Sequence, residues 1–379
     1  MITQSKIGLN SRSEANPFNK DGFLPLITAP MYSVVDESNY QLFLNNKVQV
    51  CLPRGLGKTK DNFDTSYPMF VSLSLDEFEE QYINNKTSLT GFTKKVCIDT
   101  ANGNIPNLHD FIREAKKIHG NNLIIMAGNV GSVEAFAELA KTGVDYIRVG
   151  IGGGGGCNTT SNTGVGQENL SSLITECKTW KCETNNSTFR LWRDYYGKIT
   201  DQEWMYISKV KIVADGISSY INRCQKEYNF NDNGYAAINK LLDAGADLVM
   251  VGKLFAQCVE SAGEKACCTY VDKEIISNQS ALKLYREIYN KESTISVQVK
   301  YSGMSTQQEQ KKYKIVTKMS ENKNSRSLKP SEGSVQWIPV RWTLNEWLNG
   351  SDKQDESPYL MGFVNALKSM MTYTNRTKL

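Results

Sequence analysis

The chain has 379 residues, 40% hydrophobic and 22% charged, with a formal net charge of +4. That length suits one barrel-sized domain with insertions or two average domains, and the composition is that of an ordinary globular protein. The charge is too slight and too dispersed for a nucleic-acid surface, and no apolar run approaches the roughly 18 residues of a membrane span.

The start, MITQSKIGLNSRSE, lacks the apolar core of a signal peptide. Nine cysteines at irregular spacing read as reduced thiols, so a cytoplasmic chain is expected. No CxxC…CxxC pair signals structural zinc, and the two histidines leave little room for histidine-based catalysis.

Short apolar runs recur along the chain. Leu24–Met31 is the first, and Lys47–Leu52 follows after a helical segment over Asn39–Asn45. Pro68–Leu75 and Lys95–Thr100 are the third and fourth. An amphipathic helix over Leu108–His119 leads to Leu123–Asn129, and a helix over Val133–Thr142 leads to Tyr146–Val149. Val210–Asp215 is the seventh run; a helix over Ala236–Ala244 precedes the eighth, Leu248–Gly252. Continuous β-branched runs of this length predict parallel strands buried on both faces. Eight of them, alternating with helices, predict an α/β fold: one (β/α)8 TIM barrel over 1–379.

Two stretches fall outside that rhythm. Residues 178–208 are polar and aromatic and read as a surface insertion before the seventh strand. Residues 258–340 lie beyond the eighth strand. Their hydrophilic stretch Gln307–Asn324 suits a flap rather than a core element.

The run YIRVGIGGGGGCNTTSNTGVGQ, Tyr146–Gln167, carries a strand into five glycines, Gly152–Gly156, and then Cys157, Thr159 and Thr160. Glycine at this density allows backbone N–H groups to approach an anion and admits positive φ. A thiol at the end of such a loop is placed to attack an electrophilic ring. A Gly-rich linker reads the same way in isolation; the preceding strand and the Cys-x-Thr ending favour a site. Met31, Asp99, Asn129, Cys157, Asp215 and Gly252 all fall at the C-terminal ends of strands, the rim where barrel enzymes place their chemistry.

These residues also carry a resemblance. IDTANG (Ile98–Gly103), AGNV (Ala127–Val130), VGIGGGGGCNTT with TGVGQ, ADG (Ala214–Gly216), AGADLVMVG (Ala244–Gly252), YSGMS (Tyr301–Ser305) and SEG (Ser331–Gly333) stand in the order of the IMP dehydrogenase/GMP reductase family. The chain resembles that family over nearly its whole length. The resemblance implies a barrel that binds a purine 5′-monophosphate and a nicotinamide dinucleotide, NADPH or NAD, in a homo-oligomer, a tetramer in the family.

By the same resemblance Cys157 is the nucleophile at C2 of the purine, with Thr159 and Glu332 as its proton relay. Gly155, Gly216, Gly252, Lys253 and Tyr301 hold the phosphate, Asp215 the ribose, and Gly303, Met304, Ser305 and Gly333 the base. Asp99, Thr100, Ala101, Ile151 and Gly152 lie along the cofactor. A monovalent cation, usually potassium, is implied on carbonyls of Gly152, Gly154 and Cys157.

No regulatory insert follows the second strand, and Arg326 is followed by Ser327 where a dehydrogenase has an Arg-Tyr pair. The expectation is therefore GMP reductase-like reductive deamination. A dehydrogenase lacking the insert, and a nucleotide-binding barrel without turnover, are the alternatives. The chain departs from the family at Gly155, which replaces the phosphate-binding serine, and at Ile217, Lys253, Tyr32 and Thr160.

Overall fold

The computed structural model describes residues 2–5, 8–56, 69–84, 94–155, 157, 159–166, 169–184, 199–228, 231–288, 293–303, 334–351 and 361–379. Each of the eight apolar runs forms one strand, the fifth extending one residue past its run: β1 (Leu26–Thr28), β2 (Val50–Leu52), β3 (Met69–Leu73), β4 (Lys95–Asp99), β5 (Ile124–Val130), β6 (Tyr146–Val149), β7 (Lys211–Ala214) and β8 (Leu248–Val251). All their pairings are parallel, in the order β1-β8-β7-β6-β5-β4-β3-β2. Main-chain bonds from Thr28 N to Gln49 O and from Gln49 N to Leu26 O, both 3.0 Å, join the two ends. The sheet closes into a (β/α)8 barrel.

Helices α1 (Tyr40–Asn45), α2 (Leu75–Glu79), α3 (Pro106–His119), α4 (Val133–Ala140), α5 (Thr159–Thr163), α6 (Leu170–Thr184), α7 (Asp201–Lys209), α8 (Ile217–Tyr228), α9 (Tyr235–Asp243) and α10 (Lys253–Ala256) follow the strands. Their starts are written locally. Ser74 and Glu77 form a reciprocal capping box on α2, Thr200 and Glu203 one on α7, and Pro106 opens α3 where its missing N–H costs nothing.

Because side chains alternate along a strand, the barrel has two cores. Ile27, Cys51, Phe70, Cys97, Met126 and Met250 point inward and fill it. Their neighbours, such as Leu26, Val50, Val71 and Ile98, point outward against the helices. The expected insertion is partly helical framework. Residues 178–184 continue α6, where Trp180 packs edge-on against Phe136 at 5.9 Å, and α7 buries Ile207. Residues 185–198 lie outside the described residues.

Beyond β8 the chain builds more regular structure than its polar composition suggests. β9 (Lys265–Cys268), β10 (Lys273–Ile276), β11 (Ser296–Ser302) and β12 (Val335–Pro339) form an antiparallel sheet in the order β10-β9-β11-β12. Helix α11 (Asn278–Ile288) covers it through Ala281 and Tyr285. Two further helices, α12 (Leu344–Asn349) and α13 (Phe363–Tyr373), return to the barrel wall. There the fully buried Trp347 stacks on Phe363, centroids 5.3 Å apart, and meets Tyr235 and Phe255 edge-on. No helix among the described residues is long and apolar enough to cross a membrane.

The turn joining barrel to sheet is held by Lys265, which is 1% exposed. Its Nζ donates to Ser261 O (2.6 Å), Gly263 O (2.8 Å) and Ser261 Oγ (3.1 Å). Burial lowers its pKa to about 8, against the opposing pull of Cys258, Glu260 and Asp36. An unfolded lysine titrates near 10.4. Between those values the unfolded chain binds the extra proton, so this group's contribution to stability rises with pH. The melting temperature of wild type minus that of Lys265→Met should therefore increase from pH 7 to pH 9.5. A difference that stays flat would contradict this reading.

Candidate active site

At the C-terminal end of the barrel the inward layer turns from apolar to charged. Arg148, the inward residue near the end of β6, is 7% exposed. Its Nη1 donates to Asp99 Oδ1 (2.7 Å), and its Nη2 and Nε donate to Asp215 Oδ2 (2.8 and 3.1 Å). Asn129 Nδ2 also donates to Asp215 Oδ2 (2.8 Å) and to Gly150 O (2.7 Å). Arg54, past β2, reaches Asp99 from the other side through its carboxylate and its carbonyl. Burial raises the Asp99 pKa, but Arg54 and Arg148 outweigh it and hold the carboxyl below its usual range. Asp99 thus faces the two guanidinium groups, and Asp215 is anchored by three side-chain donors.

Two glycines make room for this layer. A Cβ on Gly128, whose φ is 151°, would stand 2.6 Å from Arg148 O and 2.7 Å from Arg148 Cβ. One on Gly103 would stand 2.8 Å from Gly128 Cα. The glycines of the IDTANG and AGNV motifs are therefore packed against each other and against Arg148. His109, buried in α3, lies with Nε2 3.2 Å from Gly103 O and steadies the same loop. Thr100 Oγ1 donates to Gly128 O (2.8 Å), while Ala101 is exposed.

The glycine loop is folded back on the barrel rather than trailing as a linker. The Ser219 amide donates to Gly153 O (3.0 Å), and Gly153 and Gly216 touch so closely that neither admits a side chain. Gly152, at φ 75°, lies over the Thr160 hydroxyl, which donates to Val165 O (2.8 Å). Ile151 is half-buried against Gly131. At the loop's end Cys157 N donates to Gly154 O (3.0 Å), and Cys157 Sγ donates to Thr159 Oγ1 (3.2 Å).

Tyr301, on β11, is 2% exposed, and its hydroxyl comes within 3.5 Å of where a Cβ on Gly252 would stand. Burial pushes its phenol pKa up, and the nearby Asp215 and Cys157 push it further. The post-barrel sheet thus delivers Tyr301 to the same mouth as Cys157, Asp215 and Gly252. Lys253 crosses Gly155, its Cδ 3.0 Å from the position of a Cβ there. Gly303 is half-buried beside Ser302. Met304, Ser305, Glu332 and Gly333 lie outside the described residues.

Sequence reasoning missed Arg148 and Arg54. The signal for Arg148 was present: a charge inside the apolar run YIRV, on the inward parity that also places Asp99 and Asp215. Removing one member of a buried charge network leaves the others uncompensated, typically at about 3–5 kcal/mol. Arg148→Met should therefore lower unfolding stability by about that amount, measured by denaturant titration. A change under about 1 kcal/mol would show that water already screens the two carboxylates.

Residues 70–189 match the IMP dehydrogenase / GMP reductase domain. The GMP reductase of Staphylococcus epidermidis is 28% identical over 272 residues, covering 69% of this chain and 71% of the relative. That of Edwardsiella ictaluri is 37% identical over 114 residues, 30% of this chain and 32% of the relative. Human GMP reductase 2 is 32% identical over 171 residues, 45% of this chain and 38% of the relative. The chain thus carries, at residues 70–189, a match to the IMP dehydrogenase / GMP reductase domain, and it is similar to GMP reductases, which are oxidoreductases, over much of its length.

Proposed function

We propose that the protein reductively deaminates GMP to IMP through a covalent adduct on Cys157. The observation that carries this reading is the Cys157–Thr159 pair, Sγ to Oγ1 3.2 Å, at the end of a glycine loop folded onto the barrel rim. The proton on Sγ has an immediate path to the Thr159 hydroxyl, and the thiolate left behind attacks C2 of the purine. The 2-amino group departs as ammonia after taking a proton, and Sγ is the leaving group when hydride replaces it at C2. NADPH, when bound, supplies that hydride. Asp99, Thr100, Ala101, Ile151 and Gly152 are the residues assigned to hold it, and Glu332 completes the proton relay.

The remaining contacts follow the same assignment. Asp215, immobilised by Arg148 and Asn129, takes the ribose hydroxyls. Gly155, Gly216, Gly252, Lys253 and Tyr301 enclose the phosphate, and Gly303, Met304, Ser305 and Gly333 read the base. Among the described residues no group of His, Cys, Asp or Glu could hold a metal. An ion on the loop would rest on the carbonyls of Gly152, Gly154 and Cys157, a donor set that suits a monovalent cation such as potassium. All nine cysteines are free, which fits a reducing compartment such as the cytoplasm. One barrel domain, with 178–208 as its insertion and 258–340 as its flap region, acts as a homo-oligomer in this reading.

Cys157→Ala should retain GMP binding in calorimetry and lose turnover by more than about 10³-fold. Residual catalysis within tenfold of wild type would remove Cys157 from its role. Running GMP with NADPH against IMP with NAD, with products separated by chromatography, decides the direction. Resolution by water needs an activating base, and Arg326-Ser327 lacks the tyrosine partner; one lost proton-transfer group costs about 10²–10⁴ in rate. IMP and ammonia should therefore form well ahead of XMP. Faster XMP formation would instead make the protein a dehydrogenase.

A further inference from the structure

Gly155 lacks the side chain that would fill the space above it, yet that space is not bare. A Cβ built on Gly155 would stand 3.2 Å from Ser218 Oγ, 3.3 Å from Ser218 Cβ and 3.0 Å from Lys253 Cδ. Ser218 is 8% exposed, and its hydroxyl has no hydrogen-bond partner among the described residues. The oxygen itself is not fully enclosed, so it keeps an open side on which a ligand can take the place of water. Ser218 sits in the first turn of α8, a 12-residue helix whose N-terminal amides carry partial positive charge. The Ser219 amide is taken up by Gly153 O. Those of Ile217 and Ser218 have no backbone acceptor among the described residues. Asp215, the nearest carboxylate in sequence, is already committed to Arg148, Asn129 and the Gly216 amide (2.7 Å). Lys253 forms no ion pair with a described carboxylate.

A hydroxyl, an ammonium and a helix N-terminus converging without an acid among them form a site for a phosphoryl group. We infer that Ser218 is the hydroxyl that grips the substrate's phosphate across Gly155, with Lys253 as its counter-charge. The inference rests on the monophosphate reading above. Ser218 reaches the phosphate from the far wall of the loop, and a bare glycine at 155 is what leaves it room.

The test is calorimetric binding of GMP and of guanosine, which lacks the phosphate, to the full chain. A hydrogen bond to a charged group is worth roughly a tenfold change in affinity. Ser218→Ala should raise the Kd for GMP about tenfold and leave that for guanosine unchanged. Ser218→Cys, which keeps the volume but is a poor donor, serves the same purpose if the alanine variant does not fold. Lys253→Met should behave likewise. In Gly155→Ser/Ser218→Ala the hydroxyl is restored from the other side of the same space, and most of the lost affinity should return. Undiminished GMP binding by Ser218→Ala would overturn the inference. So would an equal loss for GMP and guanosine. If GMP does not bind wild type at all, the substrate reading fails and inorganic phosphate decides the grip alone. Phosphate that raises the melting temperature of wild type but not of Ser218→Ala supports it; equal protection of both, or of neither, overturns it.

Discussion

One buried guanidinium ties the catalytic end of this barrel together. Arg148 lies where the layers beneath it are apolar, and an unpaired cation there would cost several kcal/mol in lost hydration. It is offset by Asp99 and Asp215, which in turn need Arg54 and Asn129 to complete their hydrogen bonds. The arrangement is all-or-none in character, since each charge is tolerable only because the others are present. IDTANG, AGNV, YIRVG and ADG therefore contribute to one network, although they are spread over more than a hundred residues of chain. Gly103 and Gly128 belong to it too, because the packing that brings Arg148 inward leaves no volume for a side chain at either.

The same layer fixes what lies above it. Asp215 is the last inward residue of the β7 run and is followed at once by Gly216, whose positive φ turns the chain into α8. That turn packs on Gly153, and the glycine loop is thereby pinned at its middle while its end carries Cys157. The order of dependence runs from Arg148 to Asp215, from Asp215 to the start of α8, and from α8 to the loop. A flexible linker has no such chain of contacts. This is the physical difference between the two meanings a run of five glycines can have.

The barrel was legible in the sequence because strands buried on both faces read as short, nearly continuous apolar runs, and few other elements do. LVMV and KVCID announce themselves. The post-barrel sheet was not, because its strands are half-exposed and mixed in composition. Lys273, Glu274 and Ile275 of β10 are all exposed, and Lys265 of β9 is a buried charge that no hydropathy pattern anticipates. SVQVKYS does alternate, but beside a long hydrophilic stretch its period-2 signal reads as flap. In the candidate site, Cys157, Thr159 and Asp215 were conspicuous in the sequence because their residue types suit the proposed chemistry and family-like motifs surround them. Ser218 was not, since two serines after a turn glycine look like ordinary first-turn filler for a helix.

The sheet also explains how a mouth built from barrel loops acquires a tyrosine from outside the barrel. Ser33 Oγ donates to Ser302 O (3.2 Å), Asn39 Nδ2 donates to both Val34 O and Glu260 O (3.0 Å each), and Val259 N donates to Trp342 O (3.0 Å). These bonds join the segment after β1 to β11 and to the chain on either side of the sheet. Tyr301 is the neighbour of Ser302, so its approach to Gly252 is set by the docking of the whole sheet rather than by a loop of its own. Ser302 pairs with Val335 across β11 and β12, so the chain leaves the sheet and rejoins it at one place, next to Tyr301. The antiparallel sheet is thus the rigid element that holds Tyr301 at the mouth shared with Gly252 and Asp215.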